Sequence, residues 1–365
     1  MNSVRPPAPQ LLGLEPYDPK YLPADAFLSA NANPRDVDAE VRAEIARRIA
    51  EVPLNRYPDP LANGLRDLIA EANGLDRGNV LLGNGGDELL FDLALAWGGP
   101  GRTFLNLPPT FSVYAANARL TNTACVDVPR LSDFSIDEEA VLARVGEGDI
   151  DYVVVTSPNN PTGQRARSGF VEELLASTDA LVMVDEAYFE FSRETARPLL
   201  ETNENLVILR TFSKAFSLAG VRLGYLLASP YVIDQFVKVR QPYSVDAISQ
   251  AVGEVVFANR ARFEPGIREI IEERGRVEEA LRALPGITPF PSDSNWILFR
   301  LEDAAAAWAY LYDQGVLVRD FSSAPMLENC LRVTIGTPEE NDLFLRALRD
   351  FVAERGRLRA QAAQG

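Results

Sequence analysis

The stretch Thr211-Phe212-Ser213-Lys214-Ala215-Phe216-Ser217-Leu218-Ala219-Gly220-Val221-Arg222 sets one lysine among small and hydroxyl-bearing residues, with an arginine eight positions on. It lies between two apolar runs, Leu206–Arg210 and Leu223–Ala228. Lysine is the side chain that makes a Schiff base with an aldehyde. An isolated lysine is ordinarily a solvated surface group, so the chemistry needs company. Asp185 closes the apolar run that begins at Leu181 and precedes Glu186-Ala187-Tyr188. A carboxylate there needs a partner, because burying its charge alone is costly; its plainer use is to cap the next helix. Ser157-Pro158-Asn159-Asn160-Pro161-Thr162-Gly163 follows the run Tyr152–Thr156. It is a polar turn, or it holds an amide at the end of a sheet strand, where α/β folds keep their ligand crevice. Gly83-Asn84-Gly85-Gly86-Asp87-Glu88 precedes Leu89-Leu90-Phe91. Such a glycine-rich turn exposes N–H groups at a helix N-terminus and suits a phosphate, although by itself it reads as a tight strand-to-helix connection. Glu88 stands where the dinucleotide fingerprint wants its third glycine, which counts against a NAD-dependent dehydrogenase.

Composition narrows the chemistry further. The 365 residues include no histidine, so histidine-based triads, histidine metal ligands and imidazole pH switches are excluded. Any general base is Lys, Glu, Asp, Tyr, Cys or a cofactor. With 36 Lys and Arg against 52 Asp and Glu, the net charge of −16 opposes nucleic-acid and anionic-membrane partners. Two cysteines, Cys125 and Cys330, are too few for a disulfide framework and read as free thiols of a reducing, cytoplasmic compartment. The N-terminus lacks the apolar core of a secretory signal, and no apolar run approaches the length of a membrane span.

Elements must position these groups. Short apolar runs at Val80–Leu82, Phe104–Leu107, Cys125–Val128, Tyr152–Thr156, Leu181–Asp185, Leu206–Arg210 and Leu223–Ala228 alternate with helical patterns. That alternation predicts an α/β domain whose mostly parallel sheet is sandwiched by helices. Val37, Val41, Ile45 and Ile49 predict an amphipathic helix ended by Pro53. Toward the C-terminus the pattern changes to α+β. Helices are expected over Ile267–Leu284 and Thr337–Arg355, the latter opened by a capping box, with strands at Asn295–Arg300 and Leu331–Ile335. The expected organisation is an arm and first helix (1–53) belonging to a smaller domain, a large domain (54–257), and the rest of the smaller domain (258–365).

Taken in order, the Gly-rich turn, Asn160-Pro161-Thr162-Gly163, Asp185-Glu186-Ala187-Tyr188, Ser213-Lys214, Arg222 and Leu331-Arg332-Val333-Thr334-Ile335-Gly336-Thr337 form a set. This set resembles the fold-type-I pyridoxal-phosphate aminotransferases and, within them, the histidinol-phosphate aminotransferase group. The resemblance runs from Tyr17 to the last helix. It implies a Schiff base between Lys214 and pyridoxal phosphate, with the freed amine later shuttling a proton. It assigns Asp185 to the pyridinium nitrogen, and Asn160 and Tyr188 to the phenolic oxygen. The phosphate falls to the backbone of Gly85, Gly86 and Asp87, to Ser213 and Thr211, and to Arg222, whose planar fork suits a phosphate. Phe111 stacks on the ring, where the group often has Tyr. Tyr57 reaches the phosphate of a neighbouring subunit, so the resemblance implies a homodimer with shared sites.

The resemblance also implies a small-molecule amino donor and a 2-oxo acid. Arg332 binds a carboxylate, while Arg319 and Tyr17 join it around a substrate phosphate. Two departures lie near the substrate or dimer side, Asn31-Ala32-Asn33-Pro34 and Pro242-Tyr243-Ser244, where the group usually shows Asn-Glu-Asn-Pro and Pro-Tyr-Asn. The implied reaction is histidinol-phosphate transamination by a ping-pong route. An aromatic or other amino-acid aminotransferase and a threonine-phosphate decarboxylase are the neighbouring alternatives. A cofactor-binding regulator is opposed by the short segment preceding the fold, too small for a DNA-binding domain.

Overall fold

The computed structural model describes residues 4–362 apart from 15, 17, 19 and 21. Among the described residues, twelve strands form two sheets. They are β1 (Ala26–Leu28), β2 (Val80–Asn84), β3 (Thr103–Asn106), β4 (Ala124–Asp127), β5 (Tyr152–Thr156), β6 (Leu181–Asp185), β7 (Leu206–Thr211), β8 (Leu223–Ala228), β9 (Ile287–Pro289), β10 (Trp296–Leu301), β11 (Val316–Asp320) and β12 (Cys330–Thr334). The larger sheet has the order β2-β8-β7-β6-β5-β3-β4. Every pairing in it is parallel except those of β8, which runs against both neighbours.

Strands β5, β6, β7 and β8 are buried at every position, which is why they read as unbroken apolar runs. Alternate residues feed opposite cores. Val153, Val155, Val182, Val184 and Ile208 pack on one face. Tyr152, Val154, Met183, Val207 and Leu209 pack on the other. The edge strand β4 is mostly exposed.

The smaller sheet has the order β1-β11-β12-β10-β9, and only β1 and β11 pair in parallel. Its core includes Trp296, Phe299, Leu311 and Phe344, drawn from the sheet and from helices Ala304–Asp313 and Pro338–Ala362. The capping box is formed: Glu340 accepts from Thr337 N at 2.8 Å, and Thr337 Oγ1 accepts from Glu340 N at 3.3 Å.

β1 joins the smaller sheet, while helix Ala39–Ala50 lays Val41, Ile45 and Ile49 on the larger core. The reason is local: its apolar stripe meets helix Ala247–Ala258, and Arg48 pairs with Glu254 at 3.1 Å. Strands β1, β9 and β11 are additions to the expected strands; β1 and β9 are three residues each, and β11 opens on the apolar run Val316-Leu317-Val318. Among the described residues, no helix is long and apolar enough to cross a membrane, and no cluster of side chains could hold a metal ion.

Candidate active site

Because β2, β3, β5, β6 and β7 run the same way, their C-terminal ends share one edge, and the loops beyond them converge there. Arg222 reaches the same edge from the N-terminal end of the reversed strand β8. The smaller sheet closes the other side. Arg319 on β11 lies opposite Arg332 on β12 in an antiparallel register, which puts both side chains on one face. A cavity of about 690 Å³ results. The expected groups Gly86, Asp87, Phe111, Asn160, Asp185 and Tyr188 line it. So do Thr211, Ser213, Lys214, Arg222, Arg319 and Arg332.

Lys214 Nζ donates to the Ala30 carbonyl at 3.2 Å and lies 5.7 Å from the Tyr188 ring centre. Burial and the nearby Arg332 and Arg222 push its pKa down to about 8, against a smaller opposing pull from Asp87. Asp185 is 5% exposed. Its Oδ1 accepts from Ala187 N at 3.0 Å and its Oδ2 from the Tyr114 hydroxyl at 2.6 Å. Burial still pushes its pKa up to about 6, with both hydrogen bonds pulling down and Asp87 and Glu186 pushing up.

The glycine turn opens helix Gly85–Trp97, whose first N–H groups lie beside Arg222. Gly85 has φ +80°, and a Cβ on it would lie 2.5 Å from Arg222 Nη2. A Cβ on Gly224 would lie 2.7 Å from Gly86 N, so β8 passes directly against the turn. Arg222 Nη2 meets Asp87 Oδ2 at 2.9 Å. Ser213 N donates to Thr211 Oγ1 at 3.1 Å, and the two hydroxyls are 3.0 Å apart.

At the far end, Arg332 donates to Asn160 Oδ1 and, at 2.8 Å, to the Ser29 carbonyl. Its guanidinium lies near the rings of Trp296 and Phe321. Arg319 Nη1 donates to the Asp18 carbonyl at 3.0 Å.

One expected residue is elsewhere, and another falls outside the described residues. Tyr57 is 82% exposed and stacks on Tyr243 at 4.6 Å, away from the cavity of its own chain. Tyr17 lies outside the described residues. Other contributors were given no role from the sequence, although Asn31 and Asn33 lie in a stretch placed near the substrate or dimer side. Tyr114 supplies the partner that a buried Asp185 requires. Asn31 donates to the Tyr188 hydroxyl at 3.2 Å, and Asn33 donates to the Lys214 and Ala215 carbonyls. The signal for Tyr114 was its place three residues after Phe111, one helical turn along.

The model for aminotransferase class I and II matches residues 26–348, so the chain belongs to that family. It is 42% identical over 340 residues to histidinol-phosphate aminotransferase 1 of Carboxydothermus hydrogenoformans, covering 93% of this chain and 96% of that protein. It is 41% identical over 346 residues to the histidinol-phosphate aminotransferase of Thermobifida fusca, covering 93% of each. The crystal structure of the Sinorhizobium meliloti histidinol-phosphate aminotransferase with pyridoxal-5'-phosphate superposes with a TM-score of 0.87 at 24% identity. The match covers 96% of this chain and 99% of that one.

The protein is accordingly a pyridoxal-phosphate-dependent transaminase of the fold-type-I architecture. The residues present fit that cofactor. A buried carboxylate faces the cavity, a lysine amine of depressed pKa stands within it, and a cradle with no room for Cβ atoms lies beside an arginine.

Proposed function

We propose that the enzyme transfers the amino group of histidinol phosphate to 2-oxoglutarate, giving imidazole-acetol phosphate and glutamate at one shared site. The observation that carries this reading is the pairing of Arg319 with Arg332 across adjacent strands, both lining the cavity that holds Lys214. Two guanidiniums suit a dianionic phosphate better than one carboxylate alone. The names of the 41–42% identical relatives agree.

Pyridoxal phosphate, when bound, supplies an aldehyde and an electron-accepting ring. Lys214 Nζ would hold the cofactor at its aldehyde and, once freed, would be the base that takes up and returns the substrate's α-proton. An amine with pKa about 8 suits that work near neutral pH. Asp185 keeps the ring nitrogen protonated by offering it a carboxylate. Asn160 and Tyr188 bind the phenolic oxygen, and Phe111 covers the ring face. The N–H groups of Gly85, Gly86 and Asp87, with Ser213, Thr211 and Arg222, hold the cofactor phosphate. Arg332 receives the glutamate carboxylate, and Arg319 and Tyr17 join it when the substrate carries a phosphate.

The exposed Tyr57 belongs in this reading to the site of a second subunit, making the enzyme a homodimer, and its compartment is the cytoplasm. The large domain spans 54–257 and takes in helix Ala39–Ala50, while β1 joins the domain of 258–365.

An amino-donor screen tests the assignment. Histidinol phosphate should outpace aromatic amino acids at equal concentration, and threonine phosphate should release no carbon dioxide. A preference for an aromatic donor, or carbon dioxide from threonine phosphate, would replace the reading.

A further inference from the structure

We infer that Tyr114 is a positioning residue for this reaction: fed a proton by Thr156, its hydroxyl fixes the Asp185 carboxylate as an acceptor turned into the cavity. The inference rests on the reading above in which Asp185 meets the cofactor ring nitrogen. Tyr114 is 4% exposed and stands on helix Val113–Leu120. Its hydroxyl is 2.6 Å from Asp185 Oδ2 and 2.9 Å from Thr156 Oγ1. Thr156 is 2% exposed and sits directly across from Asp185 in the β5–β6 register.

The proton directions follow from what each group can offer. The carboxylate can only accept, so Tyr114 donates to it. Tyr114 has then spent its single proton, and Thr156 must donate to the tyrosine oxygen. Thr156 Oγ1 also lies 3.3 Å from Thr110 Oγ1, whose own proton goes to Asn159 Oδ1 at 2.7 Å; the shorter 2.9 Å contact directs the Thr156 proton to Tyr114. Burial and the neighbouring Asp185 hold the phenol pKa well above its ordinary value, so the donor stays protonated throughout the working range. With Ala187 N on Oδ1, each carboxylate oxygen is met by one donor, and these donors oppose the burial, Asp87 and Glu186 that favour the neutral acid.

Tyr114 has a second hold on the site. Its ring meets Phe111 edge-on at 5.7 Å and 87°. The carboxylate assigned to the ring nitrogen and the ring assigned to its face therefore share one support.

The test is a double-mutant cycle on cofactor affinity, measured by equilibrium dialysis of pyridoxal phosphate against the apoprotein. Tyr114→Phe removes one oxygen and should weaken binding by roughly tenfold or more, as expected for a lost hydrogen bond to a charged group. Thr156→Val should weaken it less, by about threefold, in the same direction. Both losses should vanish in an Asp185→Asn background, because the effect travels through that carboxylate. In steady state, kcat of Tyr114→Phe should fall while KM for the amino donor holds. Wild-type affinity in Tyr114→Phe, or losses that add in full to that of Asp185→Asn, would overturn the inference. If Asp185→Asn alone leaves affinity unchanged, the assignment of Asp185 itself fails and this inference falls with it. Should Tyr114→Phe not fold, judged by the thermal transition of the apoprotein, the Thr156→Val pair with Asp185→Asn decides alone.

Discussion

An amine with a pKa of about 8 in place of the ordinary 10.5 has a kinetic consequence that can be timed. Only the neutral amine attacks an aldehyde. At pH 7 about one-tenth of Lys214 is neutral, against about 0.03% for an unperturbed lysine, an advantage on the order of 300-fold. Capture of pyridoxal phosphate by the apoprotein, followed by stopped-flow absorbance, should therefore accelerate about tenfold per pH unit up to about pH 8. Above that it should level off. Arg332 is one of the cations that disfavour the ammonium. Replacing it by Gln removes that repulsion, raises the lysine pKa and moves the knee to higher pH. A wild-type rate that climbs without a break to pH 10 would refute the depressed amine. A knee that moves down in Arg332→Gln would refute its cause.

Three other outcomes follow from positions outside or beneath the cavity. Gly224→Ala places a Cβ 2.7 Å from Gly86 N, an overpacking worth about 1–3 kcal/mol; the variant should lose most of its cofactor on gel filtration, and full retention would count against the cradle. Glu190 is 7% exposed, and burial pushes its pKa up to about 8. Between its unfolded value near 4.5 and about 8 the unfolded chain binds fewer protons, so this group costs stability as pH rises through that window. The Tm of Glu190→Gln should gain on the parent from pH 5 to pH 8, whereas a constant offset would sink the argument. Mixed dimers of Tyr57→Phe and Lys214→Ala should recover part of the activity each lacks alone; verified hybrids with none would remove Tyr57 from a shared site.

Much of this was legible in the sequence. The buried strands are mostly apolar and their ends and turns carry the chemistry, so Lys214, Asp185, Asn160 and Arg222 could be placed at the ends of particular strands before any contact was known. What was not legible depends on crossovers. The Ala30 carbonyl meets Lys214 from 184 positions away, and Asn31 meets Thr334 from 303. Neither contact leaves a periodic trace. Tyr114 was hidden for another reason: an aromatic on an apolar helix face looks like packing, and only the 2.6 Å contact separates a donor from a filler. Helix Ala39–Ala50 had the right stripe, but a stripe does not name the surface that covers it.

The short strand β1 pairs with Val316–Val318, and the residues just after it meet Lys214, Tyr188 and Thr334. During synthesis Asn31 emerges 303 positions ahead of Thr334. The larger sheet, complete by Ala228, can form while it waits. The pocket cannot, because one wall comes from Ser29, Ala30 and Asn31 and its mate from Arg319 and Arg332 far downstream. A nascent chain stalled before residue 316 would thus carry Lys214 and Arg222 on a finished sheet yet lack the wall that Ala30 and Asn31 supply, and it should gain that wall only after release of the final strands.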